Sequence, residues 1–451
     1  MIKKIKNLYL FSAFMLLNTF LNAQQTAGSG DFSLQATIDY ALKHNANYLN
    51  AELDVKMNEY KRKEIVGMGL PQISGSADYK DYFELPTSLL PGQFFGAPPG
   101  TYIPVKFGTK YNATAGGSVS QLVFSSDYIV GLQAAKQLKV LSEKNLARTK
   151  TETIVTITKA YYGALINRER LKTLEANIVR LKKLFDDTKA FNQNGFVEKI
   201  DVDRLELAYN NLLTEKEKVE RLVGVSETLL KFQMGYDIKQ PIKLTDELKA
   251  DQLTDIDLLS EQKVNYDSRH EYSMLQSQEK LNKLELKRYK LQYLPTLVAY
   301  ASYIEQAQRT KFDFFDNEQK WYPIGLFGVT LSVPVFSGGQ KYYRIKQAKV
   351  NLQKTANNLV YAKSAIDMEV NVNSIMYKNA YASMLNQKKN RELATSIYET
   401  AKKKYEAGVG SNLELVNAET SLKEAETNYL GAVYDLIMAK TELDKSTGNI
   451  K

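Results

Sequence analysis

Few residues in this chain of 451 could carry catalytic or metal-binding chemistry. There is no cysteine, and the two histidines, His44 and His270, lie far apart in the sequence. Without cysteine, a disulfide framework, a cysteine nucleophile, an iron–sulfur cluster and a thiolate zinc site are all excluded. The sequence also lacks a glycine-rich nucleotide loop, a cluster with metal-ligand spacing and a nucleophile elbow. We therefore expect neither an enzyme nor a bound cofactor or metal.

The N-terminus has the features of a secretory signal. Lys3, Lys4 and Lys6 form a basic region, an apolar run follows over 8–17, and Ala23 is a small residue at a suitable cleavage position. We expect residues 1–23 to be removed as a signal peptide, and no cysteine follows that could anchor a lipoprotein. No later stretch approaches the roughly 18 continuous apolar residues of a membrane-spanning helix, so a mature chain that enters a membrane must do so as β-strands.

The net charge does not indicate a nucleic-acid partner. The formal charge of the chain is +9, and it falls to +6 when the three lysines of the signal are removed. The remaining basic residues are interleaved with glutamate and aspartate, which is typical of solvated helix faces.

The mature chain reads as two copies of one unit. The segment LPQISGSADY at 70–79 matches LPTLVAYASY at 294–303, and FNQNGFVEKIDVDRLELA at 191–208 matches KYEAGVGSNLELVNAETS at 404–421. The repeat covers about half of the chain, which indicates a duplicated domain rather than a solenoid of short units. We predict one repeat over 24–245 and a second over 246–451. Each repeat has a helix, a β-hairpin, a long helix and a return helix, and the first has a longer insertion between 80 and 110.

Long helices are expected because all ten prolines lie outside two long spans, 105–240 and 335–451. Apolar residues recur there at spacings of three and four, as in the seam between packed helices. Gly195 and Gly408 each follow one helical stretch and precede another, which predicts long antiparallel hairpins with tight tips. We predict helices over 33–66, 126–190, 198–233, 256–291, 338–404 and 412–446.

The proline-bounded segments between the helices alternate as strands do. Segments 111–120 and 324–336 each place apolar residues at odd positions, and weaker strands are predicted over 73–83 and 296–304. Aromatic residues such as Phe312 and Trp321 mark the connections within each pair as external loops with interfacial aromatics. Four strands have open edges, which hydrocarbon does not tolerate, and the smallest outer-membrane barrels have about eight strands. Several chains must therefore share one barrel, and the strand pattern leaves two or three chains open.

The order of these elements resembles the TolC-like outer-membrane efflux family over essentially the whole mature chain. The resemblance also rests on the LP before each first strand, the VFS after each second strand, and the second tip, YEAGVGSNLELVNAETSLKEAETNYL at 405–430. It implies an α+β membrane channel, in which a trimeric outer-membrane β-barrel of twelve strands, four per chain, continues into a long periplasmic α-helical coiled-coil barrel. Such a channel is the passive exit duct of a tripartite efflux or type I secretion system in the cell outer membrane of a Gram-negative bacterium.

The resemblance also implies partners and site residues. The expected partners are two further copies in a homotrimer, a periplasmic adaptor (membrane fusion) protein, an inner-membrane transporter of the RND or ABC type, and outer-membrane lipid. By motif, Asp201 matches the acidic residue of the first tip, and Tyr405 and Glu414 match the tyrosine and acidic positions near the constriction of the pore. Asn417 occupies the position of a second acidic residue in better-known channels, and Gly410 that of an arginine.

The tips have a second expected role. Each glycine sits where a long helix reverses, so each is expected to adopt a positive φ. Their neighbours are small or apolar at a place that should face the periplasm, which suggests a docking surface for the adaptor. The alternative is that the glycines only cap helices and the apolar residues only staple the turn. The expected docking residues are Gly195, Phe196, Val197, Gly408, Val409 and Gly410.

Two other classes of protein share some of these features. A periplasmic adaptor would have one helical hairpin with β-rich flanks, whereas this chain has two hairpins and amphipathic strand pairs. A structural coiled-coil protein of the envelope would not need the strand pairs. The cargo, whether drug, metal or polypeptide, and the class of pump are not determined by the sequence.

Overall fold

The computed structural model describes residues 30–248, 264–316 and 318–450. The predicted signal peptide and the first part of the helix predicted over 256–291 lie outside the described residues. The chain divides into two compact units. One contains the described parts of 30–50, 147–269 and 365–450, and we call it the tip unit. The other contains the described parts of 51–146 and 270–364, and we call it the sheet unit.

The secondary structure follows the duplicated order expected from the sequence. The strands are β1 (Asp31–Phe32), β2 (Gln72–Asp81), β3 (Thr87–Pro91), β4 (Tyr102–Lys106), β5 (Tyr111–Phe124), β6 (Lys243–Leu244), β7 (Thr296–Arg309) and β8 (Tyr322–Ser332). The helices are α1 (Leu34–His44), α2 (Ala46–Met68), α3 (Ser126–Gln193), α4 (Lys199–Met234), α5 (His270–Leu291), α6 (Gln340–Glu406) and α7 (Asn412–Thr447). Within the described ranges, no helix combines the length and the apolar character needed to cross a membrane.

Three predicted elements were wrong in their extent. In the described part of the helix predicted over 256–291, the α-helix begins only at His270, because the side chain of Asn265 caps a separate short 3-10 turn over Tyr266–Ser268. The helix predicted over 33–66 is two helices, because Asn45 ends α1 and its side-chain Oδ1 accepts a hydrogen bond from the N–H of Tyr48 in α2 (3.1 Å). The strand predicted over 324–336 ends at Ser332. Pro334 has no N–H to donate to a ladder, which explains the early end.

The sheet unit is built on one antiparallel sheet with the strand order β2-β5-β7-β8. Each copy of the duplicated sequence supplies two neighbouring strands, and the copies meet at the ladder between β5 and β7. The edge strands are β2 and β8, and among the described residues each is paired on one side only. Each edge therefore presents a row of unpaired backbone N–H and C=O groups.

The register brings the two predicted apolar faces onto the same side of the sheet. Val119 of β5 lies opposite Ala301 of β7, which in turn lies opposite Phe327 of β8. Phe327 is 91% exposed in the single chain, so this apolar side is uncovered along β8. The opposite side is polar in β2 and β5, where the hydroxyl oxygens of Ser74 and Ser118 lie 2.8 Å apart. In β7 and β8 the opposite side is mixed.

The connections at one end of the sheet are more ordered than the loops expected there. Between β2 and β5, strands β3 and β4 form a separate antiparallel ladder. Between β7 and β8, the aromatic residues Phe312, Phe314 and Trp321 gather in one cluster, which Tyr79 joins from β2. Phe314 packs on Ala113 and Ala307 of the apolar side. The predicted interfacial aromatics thus lie together at the end of the sheet.

In the tip unit, apolar seams join the helices of each hairpin. The seam between α3 and α4 is built on leucines, among them the buried Leu174, Leu181, Leu205 and Leu212. The seam between α6 and α7 uses many alanines, which allow the two helices to approach closely. Both seams follow the spacing of three and four residues that predicted them.

Candidate pore constriction and docking tips

Both hairpin tips turn on a glycine with positive φ. The angle is +78° at Gly195 and +74° at Gly408, and the space that a Cβ would enter is open at both. After Gly408, the N–H of Val409 donates to the C=O of Lys404 (3.0 Å). This is the Schellman pattern, in which a residue with positive φ ends a right-handed helix. After Gly195, the N–H of Phe196 donates in the same way to the C=O of Phe191 (2.9 Å). The predicted positive φ of both glycines is confirmed.

Side chains close the second tip further. The Oγ of Ser411 accepts a hydrogen bond from the N–H of Glu414 (3.1 Å) and so caps α7. The Nζ of Lys404 lies 3.1 Å from Oε1 of Glu414, so a charge pair joins the end of α6 to the start of α7. Gly410 has no room for a side chain, because a Cβ there would lie 2.9 Å from the backbone N of Tyr405. An arginine at this position would require a different backbone.

The described contacts join three of the four predicted constriction residues to different partners. The hydroxyl oxygen of Tyr405 lies 2.9 Å from Oγ1 of Thr188, which links α6 to α3. The carboxylate of Asp201 lies 3.5 Å from the guanidinium of Arg204 on its own helix. Glu414 is exposed but paired with Lys404, as described above, and Asn417 is exposed.

A hydrogen bond from a side chain of the second tip to the backbone of the first nevertheless joins the two tips. The side-chain Nδ2 of Asn412 at the start of α7 donates to the backbone C=O of Asp201 in α4 (3.0 Å). Two large apolar side chains are uncovered beside this contact, since Phe196 is 78% and Val409 is 80% exposed.

A buried polar cluster that sequence reasoning missed lies between α3, α6 and α7. Glu419 is 6% exposed, and its Oε1 lies 3.6 Å from Nη2 of Arg180, which is too far for a hydrogen bond. Glu426 is a second carboxylate near the same guanidinium (3.7 Å), and it accepts a hydrogen bond from Asn177 (2.9 Å). The guanidinium also lies 5.6 Å from the centre of the Tyr398 ring.

Burial decides the electrostatics of this cluster. Burial raises the pKa of the Glu419 carboxyl above its ordinary value, and the nearby Arg180 opposes that shift. Burial likewise raises the pKa of Tyr398 to about 12. The sequence did contain a signal, because Glu419 lies four residues after Leu415 and three before Leu422, on the apolar stripe of α7.

A second charged bridge joins the two hairpins. Glu215 of α4 lies 2.7 Å from Nζ of Lys423 on α7 and 3.1 Å from Nη2 of Arg170 on α3. The hydrogen bond from Lys423 lowers the pKa of Glu215, and burial opposes that shift. The two hairpins are therefore fastened by charged and polar contacts as well as by their seams.

A four-stranded sheet shared by the two sequence copies, together with two long helical hairpins, is what the sequence predicted for a channel subunit of the outer membrane. Residues 286–449 match the model of the family described as outer membrane efflux protein. The chain is 20% identical over 348 residues to the probable efflux pump outer membrane protein TtgC of Pseudomonas putida, covering 75% of this chain and 69% of that protein.

Two further comparisons agree. The chain is 21% identical over 345 residues to the alkaline protease secretion protein AprF of Pseudomonas aeruginosa, covering 72% of this chain and 67% of that protein. The crystal structure of the outer membrane protein VceC of Vibrio cholerae has the same fold, with a TM-score of 0.69 at 14% identity. The superposition covers 92% of this chain and 96% of that one.

Together these comparisons indicate an outer-membrane channel protein similar to the TolC-like outer-membrane efflux family. Its fold is that of the family's channels, in which a β-barrel in the outer membrane continues into a helical barrel in the periplasm. Members of the family are passive channels rather than enzymes, and they work as trimers with an adaptor and an inner-membrane pump. The protein is therefore an outer-membrane exit duct.

Proposed function

We propose that three copies of this chain close one barrel of twelve strands in the outer membrane and conduct cargo outward from an inner-membrane pump. The uncovered edges of β2 and β8 carry this proposal, because hydrocarbon tolerates no open strand edge. Pairing the β2 edge of one copy with the β8 edge of the next is a head-to-tail contact, and such contacts form a ring when the rotation between copies closes. The apolar side of the sheet then faces lipid.

Disulfide cross-linking of engineered cysteines tests this closure. The chain has no cysteine of its own that could form other disulfides. A cysteine at Thr330 of β8 is combined in turn with one at Ser74, Ser76 or Asp78 of β2. Oxidation of at least one pair should link three chains into a covalent trimer on a denaturing gel. As a control, a pair at Thr114 and Gln306, which lie opposite each other within one chain, should give only monomer. A ladder that stops at dimer, or no linkage from any edge pair, would overturn the trimeric barrel.

The lipid-facing side of the barrel is tested by a matched pair of arginines on β8. Val329→Arg places a cation on the apolar side, which costs roughly 2–4 kcal/mol near the middle of the bilayer, so the yield of assembled trimer should fall. Thr330→Arg places the same cation on the opposite side and should assemble normally. Equal trimer yields in membrane fractions would mean that the two sides of the sheet are assigned the wrong way round.

We further propose that the exposed tips dock a periplasmic adaptor through Phe196, Val409 and their neighbours. In the same proposal, Asp201, Tyr405, Glu414 and Asn417 line the constriction of the pore. The support is their position at the paired tips and their match to the family's motif. Removal of residues 1–23 as a signal peptide belongs to the same proposal, and N-terminal sequencing of the mature protein tests it.

The pump class has two candidates. TtgC is named for an efflux pump and AprF for the secretion of a protease. An RND-type pump with small-molecule cargo and an ABC-type exporter with polypeptide cargo are therefore both compatible with this chain. Cross-linking in the native cell, followed by identification of the captured inner-membrane protein, separates the two.

A further inference from the structure

A basic belt lies in the sheet unit where the helices meet the sheet. It consists of three segments, 60–70 ahead of β2, 285–294 ahead of β7, and 337–350 after β8. Together they contain ten lysines and arginines and two acidic residues, a net charge of +8, whereas the whole chain of 451 residues carries +9. The positive excess of the chain is therefore concentrated beside the sheet.

Contacts through the start of α3 hold the belt together. The hydroxyl of Tyr128 in α3 donates to the C=O of Val66 (3.3 Å), which joins the first segment. Asp127 of α3 pairs with Arg288 of the second segment (3.3 Å). The Nζ of Lys341 in the third segment donates to the C=O of Gln292 in the second (2.6 Å). The three segments thus form one surface rather than separate charges.

Apolar and aromatic side chains of the belt lie among its basic residues close to the sheet. In the second segment, Leu294 is next to the strand, Tyr293 follows, and the basic residues lie behind them. Leu294 is 43% and Tyr293 is 51% exposed, and after β8 Phe336 is 88% exposed. Lysine ammonium groups lie over tyrosine rings in each segment, at 5.6 Å for Lys63 on Tyr60, 5.1 Å for Lys341 on Tyr293 and 5.4 Å for Lys346 on Tyr342.

We propose that this belt binds the phosphate groups of anionic phospholipids in the inner leaflet of the outer membrane. The proposal rests on the barrel proposed above, which places the helix ends of the strands at the periplasmic face of the bilayer. At such a boundary tyrosine rings lie at the level of the headgroups, and lysine and arginine extend past apolar stems to reach phosphate. A charged lining of the pore would account for the lysines but not for the uncovered leucine, phenylalanine and tyrosine side chains.

The test uses the purified trimer in a neutral detergent. The trimer is titrated with phosphatidylglycerol, phosphatidylcholine or inorganic phosphate, and bound molecules are counted by native mass spectrometry while the melting temperature is recorded. Phosphatidylglycerol should bind and raise the melting temperature, whereas phosphatidylcholine and inorganic phosphate should do neither. Raising the salt concentration should weaken the binding of phosphatidylglycerol to the unaltered protein, since exposed charges are screened by salt.

The variant K290Q/R344Q/K346Q removes three charges from the belt and keeps Lys341, which holds the helices together. Each basic residue near an anionic lipid surface contributes about fivefold in affinity, so the variant should bind phosphatidylglycerol on the order of a hundredfold more weakly. The control variant K378Q/K389Q/K403Q removes three exposed charges elsewhere on α6 and should bind as the parent does. The charge-preserving variant K290R/R344K/K346R should also retain binding.

Three results would overturn the proposal. One is undiminished binding of phosphatidylglycerol by the belt variant, and another is equal binding of phosphatidylcholine by the parent. The third is a change of ion selectivity in planar bilayers with unchanged lipid affinity, which would place these charges in the pore. Failure of the parent to form a conducting trimer is seen before any lipid is added, and it would count against the proposed function rather than against the belt.

Discussion

The two hairpin tips make the same reversal with different side chains. At the first tip, α4 begins without a side-chain cap, and the Nδ2 of Asn192 donates instead to the C=O of Val197 (2.8 Å). At the second tip, Ser411 caps α7, and Lys404 pairs with Glu414 across the turn. The two copies share a glycine with positive φ and an exposed apolar residue directly after it. The shared features are those needed to reverse the chain and to present a docking surface. The side-chain contacts that hold each turn closed differ.

The second hairpin also supplies the contacts that hold the tips to each other. Its Asn412 side chain reaches the backbone of Asp201 in the first hairpin, and its Tyr405 hydroxyl reaches Thr188. The first tip therefore depends on the second for part of its position. Changes at the second tip should have the wider consequences.

The largest expected effect is the loss of export when an apolar tip residue becomes charged. Val409→Asp should leave folding and trimer formation intact but abolish co-purification of the adaptor, because an unpaired carboxylate would have to be desolvated in the contact. Phe196→Asp tests the first tip in the same way. Gln193→Asp adds the same charge at an exposed polar position of the first tip and should export normally.

Each outcome assigns a role to the second tip. Loss of trimer in Val409→Asp would mean that the apolar residue only staples the turn. Normal export would remove this tip from the docking surface. An effect at Val409 without one at Phe196 would show that the adaptor uses one tip of each chain.

The tip glycines provide the next largest effect. Gly195→Ala and Gly408→Ala should each destabilise the folded chain by about 1–2 kcal/mol, because a residue with a Cβ adopts positive φ only at that cost. The two effects should be equal, since the space around both glycines is open. Gly224→Ala is the matched control within α4, where alanine should be neutral or stabilise the helix. Denaturant midpoints measure all three, and a neutral Gly195→Ala would show that the first tip does not need its glycine.

The sequence predicted the features that local patterns control. Proline placement marked the long helices, alternation marked the four strands, and the glycines marked the tips. What it could not predict depends on distant partners. The position of β5 beside β7 and the register that joins their apolar sides arise only in the folded sheet. The pairing of Lys404 with Glu414 requires the hairpin to close, and nothing near Glu419 in the sequence indicates that Arg180 will lie opposite it.

The contributions of Glu419, on the second hairpin, and Glu215, on the first, to the stability of the fold should depend on pH in opposite directions. The raised pKa of Glu419 means that its contribution to stability is present below the ordinary value of 4.5 and is lost as pH rises through its folded-state pKa. Glu419→Gln should therefore gain stability relative to the parent at neutral pH and lose that advantage in acid. The lowered pKa of Glu215 has the opposite sign, because its contribution is present above 4.5 and is lost as pH falls.

Glu215→Gln is thus the matched control for Glu419→Gln. It should be less stable than the parent at neutral pH, and the difference should shrink in acid. Unfolding midpoints across a pH series measure both variants. If stability changes with pH in the same direction in both variants, Glu419 and Glu215 do not have opposite effects on stability.

The smallest expected effect concerns ion selectivity at the constriction. In a trimer, symmetry would bring three copies of Glu414 together, and a ring of carboxylates attracts cations. The effect should be modest here, because Lys404 already pairs with each Glu414 and Asn417 provides no second ring. Glu414→Gln should shift the reversal potential in planar bilayers towards lower cation selectivity, whereas Lys404→Gln should uncover the carboxylate and shift it the other way. Asp201→Asn makes the same comparison at the first tip. If Glu414→Gln and the parent have identical reversal potentials under a salt gradient, Glu414 does not line the pore, and the charge pair serves only to close the turn.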